Sequence, residues 1–289
     1  SRSGMGSSMV VACGIFGAIS GTATAAVASV GPIMSGPMER HGYDKHYTSA
    51  LLGISSLLGI LIPPSITMIL YAVVTRQSVA ACFLATIGPG ILLMTSLIIY
   101  NRISQRFGQS TAPIPSIAER MPEIGRAAWY AAPALLVPFI ILGGIYGGLF
   151  TPTEAAAVAV LYAIPVGFFV YRELDLKKLA KALAQAATTT GVIMIVLMFS
   201  FVASRIFTLE RIPQELTAFL IDTFKNRLVL LLITNLFLIL LGMIMDDVSV
   251  VAIVSPLLLP VMVNIGIDPV HFAAIIGTSV VIGCNSPPM

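Results

Sequence analysis

Two adjacent carboxylates, Asp246 and Asp247, stand in an otherwise apolar stretch, with the hydroxyl of Ser249 close behind. An ionisable group at membrane depth is expensive enough to mark a functional candidate. Three further groups offer neutral oxygens. Ser20-Gly21-Thr22 lies in the middle of an apolar stretch crowded with small residues, and Pro63-Pro64-Ser65 interrupts a run of Ile and Leu. Asn285-Ser286-Pro287, followed by Pro288, interrupts a similar run near the other end. Proline lacks an N–H, so the carbonyls one turn before each Pro-Pro pair lose their helical donors. Freed carbonyls and Ser or Thr hydroxyls are hard ligands that suit a dehydrated Na⁺, and half-helix C-termini add partial negative charge. Half-helix N-termini favour an anion instead.

These groups belong to a long-period echo. The stretch from Pro32 to Ser65 recurs, shifted by 224 positions, from Pro256 to Met289. Under that shift Met38 meets Met262, Gly42 meets Gly266, Asp44 meets Asp268, Gly53 meets Gly277, Ser55 meets Ser279, Gly59 meets Gly283 and Pro63-Pro64 meets Pro287-Pro288. Paired hydrophobic segments broken by Gly and Pro are the best sequence pointer to the binding site of a secondary transporter.

The composition sets the solvent. Of 289 residues, 57% are hydrophobic and only 10% charged, and the mean hydropathy is +0.97. Apolar stretches of about 20 residues recur, as spanning helices require, so an all-α integral membrane protein is expected and a β-barrel is not. The net charge of +3 sits in short connections and is no nucleic-acid footprint. Cys13, Cys82 and Cys284 lie in apolar surroundings without metal spacing and read as small hydrophobes. His41, His46 and His271 fall in or beside loops, again without metal spacing. No Gly-Lys-Ser/Thr phosphate loop is present, so uphill work must draw on an ion gradient or a partner. An intramembrane aspartyl protease would need two carboxylates from separate helices sharing a proton, which adjacent Asp246 and Asp247 do not supply.

The first half, 1–100, should contain a hairpin over 5–38 with Ser20-Gly21-Thr22 at its tip, a broken helix over 47–74 and a span over 79–100. Residues 101–126, with Pro113, Pro115 and Pro122, read as a polar cytoplasmic connection. The second half, 127–289, should hold spans over 127–149, 155–170 and 182–207, a hairpin over 228–263 with Met245-Asp246-Asp247 near its tip, and a broken helix from 272. Thr151 as N-cap, Pro152 at the first helical position and Glu154 in the first turn form a helix start. Opening without Met and stopping inside the second Pro-Pro motif, the chain reads as an internal piece of a longer protein. If each hairpin enters and leaves on one face, eleven Lys and Arg fall on the side of the N-terminus and of residues 39–46, 101–126 and 171–181, against five on the other. The positive-inside rule puts that first side in the cytoplasm. The hairpins then enter from opposite faces, as an inverted repeat demands.

Phe16-Gly17-Ala18-Ile19-Ser20-Gly21-Thr22, Ile62-Pro63-Pro64-Ser65 and the run from Gly143 through Thr151-Pro152-Thr153-Glu154 to Val160 resemble the large membrane subunit of TRAP transporters, the tripartite ATP-independent periplasmic uptake systems. Tyr171-Arg172-Glu173-Leu174 and Gly266 to Phe272 support the resemblance, which covers essentially the whole chain. It implies an inverted-repeat, elevator-type transporter of the bacterial inner membrane, with two re-entrant hairpins and two Pro-Pro-broken helices. Sodium ions would drive import of an organic acid, of the C4-dicarboxylate or sialic acid class. A periplasmic substrate-binding protein would deliver the substrate, and a small membrane (Q) subunit would complete the scaffold. By motif, Ser20, Gly21 and Thr22 with Pro63, Pro64 and Ser65 would form one sodium site. Asp246, Asp247 and Ser249 with Asn285, Ser286, Pro287 and Pro288 would form the other. Two departures stand out: Ala26 where many members carry an acid, and Ser286 where many carry Thr, which keeps a hydroxyl. A single-component divalent-anion carboxylate symporter shares this architecture and is the alternative reading.

Overall fold

The computed structural model describes residues 3–105, 117–224 and 226–287. Regular structure among them is helical, with no strand. The elements are α1 (Gly4–Ser20), α2 (Ala23–Arg40), α3 (Lys45–Ser56), α4 (Leu58–Leu61), α5 (Ile66–Thr75), α6 (Val79–Ser104) and α7 (Ile117–Tyr146). After them come α8 (Pro152–Pro165), α9 (Leu176–Leu209), α10 (Ile212–Thr223), α11 (Arg227–Gly242), α12 (Asp247–Asn264) and α13 (Pro269–Cys284). A π turn, Val166–Val170, continues α8.

Among the described residues, five helices are long and apolar enough to cross a membrane: Val79–Ser104, Gly125–Tyr146, Pro152–Val170, Leu176–Leu209 and Asp247–Asn264. Counting Lys45–Leu61 with Ile66–Thr75 as one broken span makes six. The spans expected over 79–100, 127–149, 155–170 and 182–207 correspond to the first four, although the helix expected to reach 149 ends at Tyr146. By contrast α1, α11 and α13 have only 16 or 17 residues, short of the roughly 20 that a crossing needs. The segment 101–126 is helical at both described ends, because α6 runs on to Ser104 and α7 starts at Ile117. Its charged residues are compatible with helix, and polarity alone did not mark a loop.

Local chemistry explains many boundaries. The expected start of α8 is in the structure a capping box: Thr151 accepts from the Glu154 N–H, and the Glu154 carboxylate accepts from the Thr151 N–H at 2.8 Å. The two copies of the sequence echo build the same helix link twice. Gly42 and Gly266 take φ of +81° and +78°, which glycine adopts without cost. In the first copy the Tyr43 N–H donates to Met38 O at 3.1 Å and Gly42 N–H to Glu39 O at 3.0 Å. In the second, Ile267 N–H donates to Met262 O at 2.9 Å and Gly266 N–H to Val263 O at 3.0 Å. Both are Schellman closures that satisfy the last carbonyls of α2 and α12. Asp44 and Asp268 then cap α3 and α13, accepting from the N–H of His46 and of Val270 at 2.8 Å each. Met38 and Met262 are fully buried beneath the two links.

The chain forms two compact units that are interleaved in sequence. Unit 1 comprises Ser1–Ser65 and Gly90–Leu174, and unit 2 comprises Ile66–Pro89 and Asp175–Met289. One boundary falls directly after Pro63-Pro64-Ser65, so these units of packing divide the chain differently from the two halves of the sequence repeat. In unit 1, α1 is the hub and packs on α2, α3, α4 and α7. Its core joins Met9, Val10 and Cys13 of α1 to Val30, Met38, Tyr43, Leu51, Leu58 and Leu97. In unit 2, α12 packs on α5, α9, α10 and α13, while α11 lies along α13. Cys13 and Cys82 are buried as expected of small hydrophobes, and Cys284 is half-buried.

Each unit contains one backbone approach that only glycine permits. In unit 1 a methyl at Gly59 would lie 2.7 Å from the Thr22 carbonyl oxygen, and one at Gly17 would lie 2.3 Å from Gly59 Cα. In unit 2 a methyl at Gly283 would lie 2.3 Å from Ile239 O and 2.9 Å from Gly242 Cα. Since Gly59 and Gly283 are the same position of the echo, the two copies make the same kind of contact: each meets a glycine on the helix that leads into a turn. Over-packing of this sort costs about 1–3 kcal/mol. Gly59→Ala should therefore lower the thermal unfolding temperature of the detergent-purified protein by several degrees. Gly36→Ala, whose methyl meets nothing within 4 Å, should leave it unchanged or raise it; equal melting of the two variants would contradict the close approach.

Candidate functional site

The first candidate group lies within unit 1. Helix α1 ends at Ser20 because Gly21 turns left-handed at φ +69°, its N–H closing on Gly17 O at 2.7 Å. Thr22 is extended and caps α2, its side chain accepting from the Ala25 N–H at 3.4 Å. The Ser20 hydroxyl donates to the Thr22 carbonyl at 3.4 Å. That same carbonyl is the atom lodged against Gly59, so the turn meets the helix that leads into Pro63-Pro64. Helix α4 stops at Leu61 and α5 begins at Ile66. Pro63 and Pro64 have no N–H to give the Gly59 and Ile60 carbonyls, four residues back. Pro63 is buried and Pro64 half-buried. Ser65 is 1% exposed, and its hydroxyl has no hydrogen-bond partner in the protein. Ala26, where a carboxylate was noted as missing, is fully buried one turn into α2.

The second group lies within unit 2, and its members separate by role. Asp246 is exposed and caps α12, accepting from the Ser249 N–H at 3.1 Å and the Ser249 hydroxyl at 2.7 Å. Both side chains are thus engaged in starting a helix. Asp247, half-buried, accepts a hydrogen bond from the Thr67 hydroxyl at the start of α5. The end of α13 comes to the same turn, where the Cys284 thiol donates to Met245 O at 3.6 Å. Asn285 and Pro287 are exposed, and the Ser286 hydroxyl turns back to Ile282 O at 3.0 Å. Pro288 lies outside the described residues.

Thr67 was not singled out in the sequence, Gly59 entered only as a member of the echo, and Cys284 only as a small hydrophobe. Thr67 and Asp247 are 180 positions apart, and nothing local in either segment announces the pairing. Gly59 and Gly283 could have been found from the echo, whose glycines recur although their surroundings differ.

Chemically, unit 1 offers main-chain carbonyls and a bare hydroxyl, and unit 2 adds a carboxylate. No group of three His, Cys, Asp or Glu side chains converges among the described residues. Carbonyl, hydroxyl and carboxylate oxygens are hard ligands.

The family model for the tripartite ATP-independent periplasmic transporter, DctM component, matches residues 1–289. Among curated relatives, the C4-dicarboxylate TRAP transporter large permease protein DctM of Pseudomonas aeruginosa is 36% identical over 289 residues, covering 100% of this chain and 67% of the relative. The sialic acid TRAP transporter large permease protein SiaM of Vibrio cholerae is 35% identical over 281 residues, covering 97% and 65%. The isethionate TRAP transporter permease protein DctMQ of Oleidesulfovibrio alaskensis is 32% identical over 287 residues, covering 99% and 45%. The chain thus spans about two thirds of the first two and about half of the third. With its apolar spans and a match along its whole length, this multi-pass protein of the bacterial inner membrane belongs to the DctM family, the large-permease component of TRAP transporters.

Proposed function

We propose that this chain carries the ion-coupling core of a sodium-driven importer of small organic anions. The relatives are named for a C4-dicarboxylate, sialic acid and isethionate, and a carboxylate or sulfonate on a small polar body is common to all three. A C4-dicarboxylate or a sialic acid is the substrate class, handed over by a periplasmic substrate-binding protein, and a small membrane (Q) subunit completes the scaffold.

Ser65 carries the reading. A buried hydroxyl left unpaired costs about 1–3 kcal/mol, and such groups persist where an ion or a water provides the missing partner. This one directly follows the Pro-Pro pair that strips donors from the Gly59 and Ile60 carbonyls. The turn at Ser20-Gly21-Thr22 is held against Gly59 in the same unit, which gives a sodium ion a set of neutral oxygens. In the second copy the turn at Asp246-Asp247 with Asn285, Ser286 and Pro287 serves the corresponding site, and Asp247 supplies charge. The short helices α1, α11 and α13 fit re-entrant arms and a broken helix. Sodium occupancy fastens each turn to the break of its own unit, and the anion is imported by an elevator-type movement coupled to that occupancy.

Uptake of a labelled organic acid by proteoliposomes holding the complete transporter should require sodium and the periplasmic protein. Uptake that persists when choline replaces sodium would refute the coupling, and uptake without the periplasmic protein would favour a single-component symporter. Ser65→Ala removes an unpaired polar group, so it should leave the sodium-free protein as stable as the parent or more so, while reducing sodium-induced thermal stabilisation by at least half. Ser255→Ala, which removes another buried unpaired hydroxyl, should preserve that stabilisation; an undiminished sodium response in Ser65→Ala would exclude the residue from the site.

A further inference from the structure

We infer that Asn101, near the end of the long span α6, is the positioning residue that clamps the base of the first helical pair and so sets its tip for ion binding; this rests on the sodium reading above. The side chain is completely buried. A buried primary amide on a membrane span is costly unless its donors and acceptors are used, and here they are. Asn101 Nδ2 donates to Ser3 O at 2.8 Å and to Ser7 Oγ at 3.1 Å. Asn101 Oδ1 accepts from the Tyr47 hydroxyl at 3.1 Å. The Tyr43 hydroxyl accepts from the Gly6 N–H at 3.2 Å. The Asn101 side chain thereby joins the first turn of α1, the first turn of α3 and α6, and Tyr43 ties the link after α2 to the same turn of α1, all within unit 1.

The approach is close enough to be specific. A methyl at Gly6 would lie 2.3 Å from Asn101 Oδ1, so only glycine lets the amide reach the α1 backbone. The opposite ends of α1 and α2 carry Ser20, Gly21 and Thr22. Their two-residue connection sets the Thr22 carbonyl against Gly59, and that register follows the packing along the pair and the clamp at its base. Releasing the base leaves the donors of the ion site in place chemically but no longer held in register with Gly59. That is a loss of preorganisation, which appears as weaker binding with little change once the site is saturated.

The test compares Asn101→Ala, Gly6→Ala and Tyr47→Phe in the complete transporter reconstituted into proteoliposomes. The first two should raise the half-saturating sodium concentration for uptake by about tenfold, with Tyr47→Phe intermediate, while uptake at saturating sodium stays within about twofold of the parent per folded molecule. An unchanged half-saturating concentration, or uptake lowered equally at all sodium concentrations, would overturn the clamp. A second measurement does not depend on sodium coupling: Ser20→Cys in a background lacking Cys13, Cys82 and Cys284, labelled with a membrane-permeant maleimide. Asn101→Ala should speed labelling several-fold, and equal rates would overturn the clamp. If the parent shows no sodium dependence but labelling still accelerates, the coupling reading fails and the clamp stands.

Discussion

Main-chain N–H and C=O groups have no water to bind inside a bilayer, and helices are the means by which this chain satisfies them. Everything distinctive about it lies where that solution is interrupted. At Pro63 and Pro64 the donors are chemically missing, and at Gly21 the chain turns back after a helix of 17 residues. Such defects are tolerated only when they are enclosed by protein or put to use. Enclosure here depends on glycine: Gly17 against Gly59 in one unit and Gly242 against Gly283 in the other bring backbones together more closely than any side chain would allow.

The two units meet this constraint with related parts and different electrostatics. In unit 1 the candidate donors are neutral, consisting of the Thr22 carbonyl, the carbonyls stripped by proline and the unpaired Ser65 hydroxyl. In unit 2 a carboxylate is present, and Asp247 is steadied by Thr67 while its neighbour Asp246 is occupied in capping α12. Adjacent residues of the same type therefore do different work: one starts a helix, and the other faces a partner helix.

Legibility in the sequence followed locality. The capping box of Thr151, Pro152 and Glu154 could be read because all its parts lie within one turn. The echo could be read as a repeat, but it gave no structural role to Gly42 with Asp44 or to Gly266 with Asp268; the structure makes them Schellman closures followed by N-caps. Interactions across the chain were not legible. Asn101 looked like the first residue of a polar connection, and Thr67 like part of an apolar run, because their partners lie 54 to 180 positions away. The helical start of α7 at Ile117 was hidden by its charges, since surface helix and polar connection share a composition. The interruption at Leu57, between α3 and α4, has no Pro or Gly to mark it.

The account reduces to the claim that non-helical main chain beside the Pro-Pro break captures sodium. Equilibrium binding of radiolabelled sodium to the purified, assembled transporter tests this most directly, with potassium and choline as competitors. Saturable binding that unlabelled sodium displaces, and that potassium and choline do not, is the predicted result. Binding that fails to saturate, or that potassium displaces as well as sodium does, would contradict it.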